Sequence, residues 1–222
     1  LFDPSTGQAA TFSNPGAAAR SATGNHSQLS TAFSGQRIWF VNQSRQLALI
    51  DIATGIISNF PQVQIQQSGD LWNASVSPDE NYVTISSAYA NDPNLYIFDG
   101  TQLGRIPLTP ESSQAGIKVQ TIQYADVVSW SPNVNKPKIG FDAYNEVDVG
   151  TTGKVGYWSV YEIDFSIEKI YGLISSQPSN VSIGNITYSN TNPDLVAFNY
   201  VDATGKFDTY VGNFDIHRIQ QF

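Results

Sequence analysis

The sequence of 222 residues is acidic, with 11 Lys and Arg against 19 Asp and Glu and a formal net charge of −8. That balance argues against nucleic-acid or other polyanion binding, which requires clustered basic residues. The chain has no cysteine, which excludes disulfide bonds, thiolate metal sites and cysteine nucleophiles. It also has no run of about 18 apolar residues, so we expect no transmembrane segment.

Apolar and polar residues alternate through most of the chain, in short runs rich in Val, Ile, Tyr and Phe such as "NYVTIS" and "LYIFD". This period of two residues is typical of β-strands, and Gly, Pro, Asn and Asp separate the runs at short intervals. The pattern predicts an all-β fold. All-β chains of this kind are often built from repeats.

The first predicted unit is incomplete. Residues 1–12 hold a strand, "LFD", that ends at Asp3, and the following turn "DPSTG" nearly repeats the "DIATG" that begins at Asp51. Residues 13–29 are small and polar and are interpreted as a crossing or loop between units. Since the chain begins at Leu1, we expect it to be a processed form or a piece of a longer protein.

Four complete units follow, at 30–65, 70–112, 122–176 and 180–222. Each contains a strand, a serine turn, a second strand, a loop, a third strand that ends in aspartate, a turn and a fourth strand. The turn serines are Ser34, Ser77, Ser131 and Ser189, which are 43, 54 and 58 residues apart. Four antiparallel strands in roughly 40–55 residues are the measure of a β-propeller blade. The sequence therefore predicts a single propeller domain over 1–222.

An aspartate closes the third strand of each unit, at Asp51, Asp99, Asp164 and Asp215. Such a residue caps the following turn by accepting hydrogen bonds from backbone N–H groups. A ring of metal-binding carboxylates is the alternative, and capping is favoured. In the same way, Phe33, Trp130 and Tyr188, which precede serine turns, are predicted to pack between blades.

The turn sequences "WSPN" from Trp130 to Asn133 and "VSPDE" from Val76 to Glu80 resemble those of the TolB-like, WD40-like β-propeller repeat family. The resemblance covers about residues 30–222 as four blades, with residues 1–12 similar to the end of a preceding blade. Four blades and half of another do not close a ring neatly, so we expect the propeller to be part of a larger ring; a small propeller whose half-blade packs differently is the alternative. The resemblance implies a non-enzymatic scaffold for protein–protein interaction in the periplasm or otherwise outside the cytoplasm. A subunit or accessory of a cell-envelope complex, peripheral to the membrane, fits that role.

Catalytic signatures are weak. The two histidines are His26, in the polar stretch, and His217, two residues after Asp215 on the last predicted strand. A serine nucleophile needs such a histidine beside it, and the Gly-x-Ser-x-Gly turn of hydrolases is absent. The segment from Asp148 to Val155, "DVGTTGKV", fails the spacing of a phosphate-binding loop. We therefore predict no catalytic residue and no cofactor.

Three acidic residues, Asp142, Glu146 and Asp148, are predicted to share one loop. Oxygen ligands of this kind suit calcium, although the spacing matches no EF-hand. They could also supply the carboxylate pair of a glycosidase, which a sequence cannot establish. The favoured prediction is that no metal binds there.

The longest excursion within a blade, from Tyr144 to Tyr157, is predicted to be a partner-binding loop. Its polar rim and the aromatic pair behind it resemble the composition of protein interfaces. The predicted contact residues are Glu146, Asp148, Lys154, Tyr157 and Trp158.

Two rival functions remain open. Similar propellers gate prolyl-oligopeptidase-like serine peptidases, in which a separate hydrolase domain would follow residue 222 and carry a Gly-x-Ser-x-Gly motif. Sugar-binding or lyase propellers would need histidines and acidic residues converging in the channel.

Overall fold

The computed structural model describes residues 2–3, 8–9, 30–31, 34–42, 44–65, 71–87, 92–108, 121–148, 153–173, 181–214 and 218–221. Within these ranges the chain forms β-strands and no helix, which confirms the predicted all-β class. Four antiparallel four-stranded sheets are arranged as the blades of a four-bladed β-propeller in this described part. His26, His217, Asp215 and Phe33 lie outside the described residues.

Each blade is a meander, in which strands that follow one another in sequence are hydrogen-bonded neighbours. The short strands β1 (Phe2–Asp3) and β2 (Gln8–Ala9) pair separately from the blades. The first blade consists of β3 (Ser30–Thr31), β4 (Arg37–Val41), β5 (Leu47–Asp51) and β6 (Ile57–Phe60). The second consists of β7 (Leu71–Val76), β8 (Val83–Ser87), β9 (Asn94–Phe98) and β10 (Leu103–Pro107).

The third blade has the longest strands, namely β11 (Thr121–Trp130), β12 (Lys138–Asp148), β13 (Lys154–Asp164) and β14 (Lys169–Gly172). The fourth consists of β15 (Ser182–Tyr188), β16 (Leu195–Val201), β17 (Phe207–Asn213) and β18 (Arg218–Gln221). Because side chains alternate across a strand, each blade presents an apolar face to each neighbour. Separate apolar clusters fill the spaces between the first and second, second and third, and third and fourth blades.

The serine turns are tight reversals, as predicted. In the second blade the Ser77 hydroxyl donates to Asp79 at 2.6 Å and accepts the backbone N–H of Tyr82 at 3.0 Å. The other three serines also accept a backbone N–H from within their own turns, so one device serves all four blades. These serines are Ser34, Ser131 and Ser189.

The strand-closing aspartates cap turns. Asp51 accepts the backbone N–H and hydroxyl of Thr54, and Asp99 accepts those of Thr101. Asp164 accepts the N–H of Ser166 at 2.8 Å. Backbone hydrogen bonds stabilise the charged carboxylates, and they hold the pKa values of Asp51 and Asp99 below the usual range. The capping prediction is confirmed for these three residues.

A charged network is buried between the third and fourth blades. The Lys138 ammonium lies 3.1 Å from the Glu162 carboxylate and 3.9 Å from that of Asp164. Glu162 is 1% exposed and also accepts hydrogen bonds from the hydroxyls of Tyr171 and Tyr188. Desolvation, together with the Glu162 charge, raises the pKa of Tyr188, so its hydroxyl stays a donor. Because Tyr188 belongs to β15, the network joins two blades.

Gly140 sets the spacing between the same two blades. A β-carbon at this position would lie 2.7 Å from Ile186 Cδ1 and 3.0 Å from a ring carbon of Tyr188. We therefore expect Gly140→Ala to push the blades apart and to lower the free energy of unfolding by about 1–3 kcal/mol, the usual cost of overpacking. Urea unfolding measures this change. Gly104→Ala is the matched control, because its nearest contact is 3.3 Å within the same sheet; equal losses in both variants would contradict the expectation.

Candidate functional site

The predicted loop from Tyr144 to Tyr157 is wrong in its secondary structure. β12 and β13 each run for eleven residues and stay paired as far as Asp148 and Lys154. The corresponding strands of the other described blades have five to seven residues. The excursion is therefore an elongated β-hairpin, in which cross-strand pairing continues through the polar residues Asn145, Glu146 and Asp148.

The five predicted contact residues lie on this hairpin but do not form one patch. Lys154 pairs with Glu146 at 3.0 Å, and their side chains are 70% and 30% exposed. Asp148 is in β12, and its side chain lies outside the described residues. Tyr157 and Trp158 are adjacent in β13, so their rings project from opposite faces. Burial raises the pKa of Tyr157 to about 12.

Trp158 belongs to an aromatic cluster on the hairpin face that is turned toward the fourth blade. Its ring centroid is 5.5 Å from that of Tyr124 and 5.8 Å from that of Tyr144. Tyr124 and Tyr144 are stacked at 5.5 Å. Gly156 leaves the necessary room, because a β-carbon there would lie 1.7 Å from the Tyr144 hydroxyl. All three rings are half-buried, so the cluster forms part of the surface.

The three acidic residues do not form a calcium loop. Asp142 and Glu146 are four residues apart in one strand, a separation of about 13 Å, which is too far for one ion. Asp142 is buried in the space between blades, whereas Glu146 pairs with Lys154 at the surface. In the described part of the chain, no three His, Cys, Asp or Glu side chains are grouped as metal ligands.

Asp142 instead joins three strands. Its two carboxylate oxygens accept the backbone N–H of Val127 in β11 at 2.7 Å and that of Asn185 in β15 at 2.6 Å. Both N–H groups are available because the pairing of β11 and of β15 is interrupted at these points. Asn185 has a φ of 55°, a left-handed conformation that Asn tolerates better than most residues. These irregularities behave as β-bulges, which redirect backbone groups away from the ladder.

A second carboxylate, Asp126, lies beside the first. Asn73 in β7 donates its side-chain amide to Asp126 at 2.7 Å, at a third interruption of strand pairing. Desolvation, with a smaller contribution from the Asp126 charge, raises the pKa of Asp142 to about 7. The site therefore holds two carboxylates in a position where ionising both is costly.

Asp126 and Asp142 line a cleft of about 180 Å³ between the third and fourth blades. Trp158 connects the cleft to the aromatic cluster, and Phe207, which is 61% exposed, lies at its edge. The remaining polar lining consists of Ser182, Asn185 and Asn199. Ser182 also accepts the backbone N–H of Trp158 at 3.3 Å, which ties the hairpin to the fourth blade.

Sequence reasoning missed the cleft. A signal was present, since each of the last three units places an Asn or Asp within its first strand, four or five residues before the turn serine. These residues are Asn73, Asp126 and Asn185. The contact of Asp142 with two other strands could not be found this way, because it depends on where the bulges fall.

No family model matches this chain, and a comparison with curated proteins found no match. Solved structures are similar in fold. TolB from Acinetobacter baumannii is 15% identical with a TM-score of 0.56, and the match covers 87% of this chain and 42% of TolB. A putative TolB from Agrobacterium tumefaciens is 14% identical with a TM-score of 0.58, and the match covers 88% of this chain and 60% of that protein. An oligogalacturonate lyase in complex with manganese is 14% identical with a TM-score of 0.54, and the match covers 87% of this chain and 51% of the lyase.

The chain thus has the TolB-like propeller fold that its turn sequences indicated. It spans 42% and 60% of the length of the two TolB proteins. Identity at this level establishes the fold alone, and propellers host unrelated functions. No helix long and apolar enough to cross a membrane occurs among the residues that the structure describes.

Proposed function

We propose that this chain is a non-enzymatic propeller scaffold that binds a protein partner through the elongated β-hairpin of the third blade. The observation that carries the proposal is the length of β12 and β13, eleven residues each, which exceeds the need of the blade itself. A rigid scaffold with a protruding element loses little conformational entropy on binding.

The surface of the hairpin fits this role. A charged rim, formed by Glu146 and Lys154, adjoins the half-buried rings of Tyr144 and Trp158. Interfaces combine aromatic anchors with a polar rim in this way. Val155, next to Lys154 in β13 but on the opposite face of the hairpin, is 40% exposed and offers an apolar contact. The TolB-like fold and the acidic composition support a place outside the cytoplasm, as a component of a cell-envelope complex.

Site-specific photo-cross-linking tests the proposal. We expect a photoreactive residue at Val155 to give one discrete adduct in cells, whereas the same residue at Ile167 gives none. Ile167 is 54% exposed and lies in the turn at the other end of β13, so it controls for exposure. Adducts of equal yield from both positions, or from neither, would contradict a hairpin interface.

Charge exchange refines the same test. Glu146→Lys with Lys154→Glu preserves the ion pair and the fold but reverses the charge pattern of the rim. We expect at least a tenfold loss of the Val155 adduct. The matched control exchanges Lys206 and Asp208, an exposed pair at 2.8 Å on the fourth blade, and should leave the adduct unchanged.

A further inference from the structure

The cleft between the third and fourth blades has features that the proposed scaffold role does not use. Two carboxylates line it, Asp142 at 3% exposure and Asp126 partly exposed. The lining residues that the structure describes include no Lys, Arg or His. The cleft therefore carries a negative field within apolar walls, where charges interact more strongly than in water.

The carboxylate of Asp142 has capacity for a further donor. A carboxylate offers about four acceptor positions, and the two backbone N–H groups of Val127 and Asn185 each approach a different oxygen. Those bonds also fix the orientation of the carboxylate, since both come from the main chain of bulged strands. A ligand would meet a pre-organised acceptor.

The walls suit an organic cation. Trp158 lines the cleft, and aromatic rings attract guanidinium and ammonium groups through cation–π contacts. The side chains of Ser182 and Asn199 supply hydrogen-bonding groups beside the carboxylates. A volume of about 180 Å³ admits one side chain but not a folded segment. Guanidinium also matches two carboxylates geometrically, because it presents its donors as a planar fork.

We propose that this cleft binds the side chain of an arginine residue of a protein partner, with the guanidinium between Asp126 and Asp142 and against Trp158. That the guanidinium belongs to a protein partner rests on the proposed scaffold function. Burial and, to a smaller extent, the Asp126 charge raise the pKa of Asp142, and a bound cation would favour its ionised form.

A titration of the isotope-labelled protein with capped arginine (N-acetyl-arginine N-methylamide), followed by amide NMR, tests the proposal. We expect saturable shifts of the Val127 and Asn185 amides, which donate to Asp142, and of the Trp158 indole. Capped citrulline, which is neutral and nearly the same shape, should bind at least tenfold more weakly. Asp126→Asn, which keeps an acceptor for Asn73, should weaken arginine binding at least tenfold.

Glu168→Gln is the matched control for net charge, because Glu168 is an exposed residue of a turn in the same blade, and it should not alter binding. Equal binding of citrulline, shifts that persist in Asp126→Asn, or no saturable shift would overturn the proposal. Calcium alone producing the same shifts at lower concentration would also overturn it. Because the probe is one capped residue, failure of the cross-linking test would refute the hairpin interface without affecting this result.

Discussion

Glu162→Gln is expected to lower the free energy of unfolding by about 3 kcal/mol. The substitution removes the carboxylate charge that lies 3.1 Å from the buried Lys138 ammonium and leaves that of Asp164, 3.9 Å away. Breaking a buried ion pair by removing one partner typically costs ~3–5 kcal/mol, because the remaining charge is uncompensated. Urea unfolding, followed by circular dichroism, measures the change.

A second substitution separates the lost charge from lost packing. Adding Lys138→Met to Glu162→Gln removes the buried ammonium as well, so the double variant should recover at least half of the stability. Glu146→Gln is the exposed counterpart, since it breaks the Glu146–Lys154 pair and should cost less than about 1 kcal/mol. A double variant no more stable than Glu162→Gln alone would show that the cost does not arise from Lys138.

The stability of the protein is expected to fall as the pH rises from about 5 to 7. Asp142 has a pKa of about 7 in the folded chain, against an ordinary value of 3.8, because burial and the Asp126 charge disfavour its ionised form. In this window the folded state binds a proton that the unfolded state has released. The raised pKa therefore stabilises the fold at low pH, and that contribution is lost as the pH rises. One such group contributes a slope of up to about 1.4 kcal/mol per pH unit.

Comparison with Asp142→Asn isolates this contribution from other titrating groups, including the two histidines of the chain. Unfolding curves at pH 5, 6 and 7 should show that the difference in the free energy of unfolding between variant and wild type decreases as the pH rises. The free energy of Asp142→Asn should depend less on pH than that of the wild type. Aspartates with lowered pKa values, such as Asp51 and Asp99, lose their contribution only at more acidic pH. Parallel curves for the two proteins would contradict the assignment to Asp142.

Repetition made the fold predictable. The serine turn and the strand-closing aspartate depend on hydrogen bonds between residues a few positions apart, so both can be predicted from the sequence. Ser77 with Tyr82 and Asp99 with Thr101 are examples. The hairpin was harder to predict, because Asn145, Glu146 and Asp148 are polar residues of the kind that is common in loops. Pairing with β13 overrides that local preference.

The site depended on contacts that no local pattern records. Asp142 lies 15 residues from Val127, which it meets across the paired strands of one blade, and 43 from Asn185, which it meets because the third and fourth blades pack face to face. Glu162 and Tyr188 are 26 residues apart and belong to different blades. Sequence reasoning placed Trp158 on the interaction surface. It could not assign Trp158 and Tyr157 to opposite faces until the segment was known to be a strand.

The elongated hairpin also bears on protein engineering. Eleven successive residue pairs set the register between β12 and β13. The parts of these strands that contact neighbouring blades lie toward the end of the hairpin opposite to Asp148 and Lys154. Residues added between Asp148 and Lys154 would therefore leave the side-chain alternation below them unchanged. Lys154, the first residue of β13, has a side chain that is 70% exposed, and exposed loop tips tolerate inserted sequence. The third blade is consequently a natural position for grafting a foreign epitope or a small domain onto this propeller.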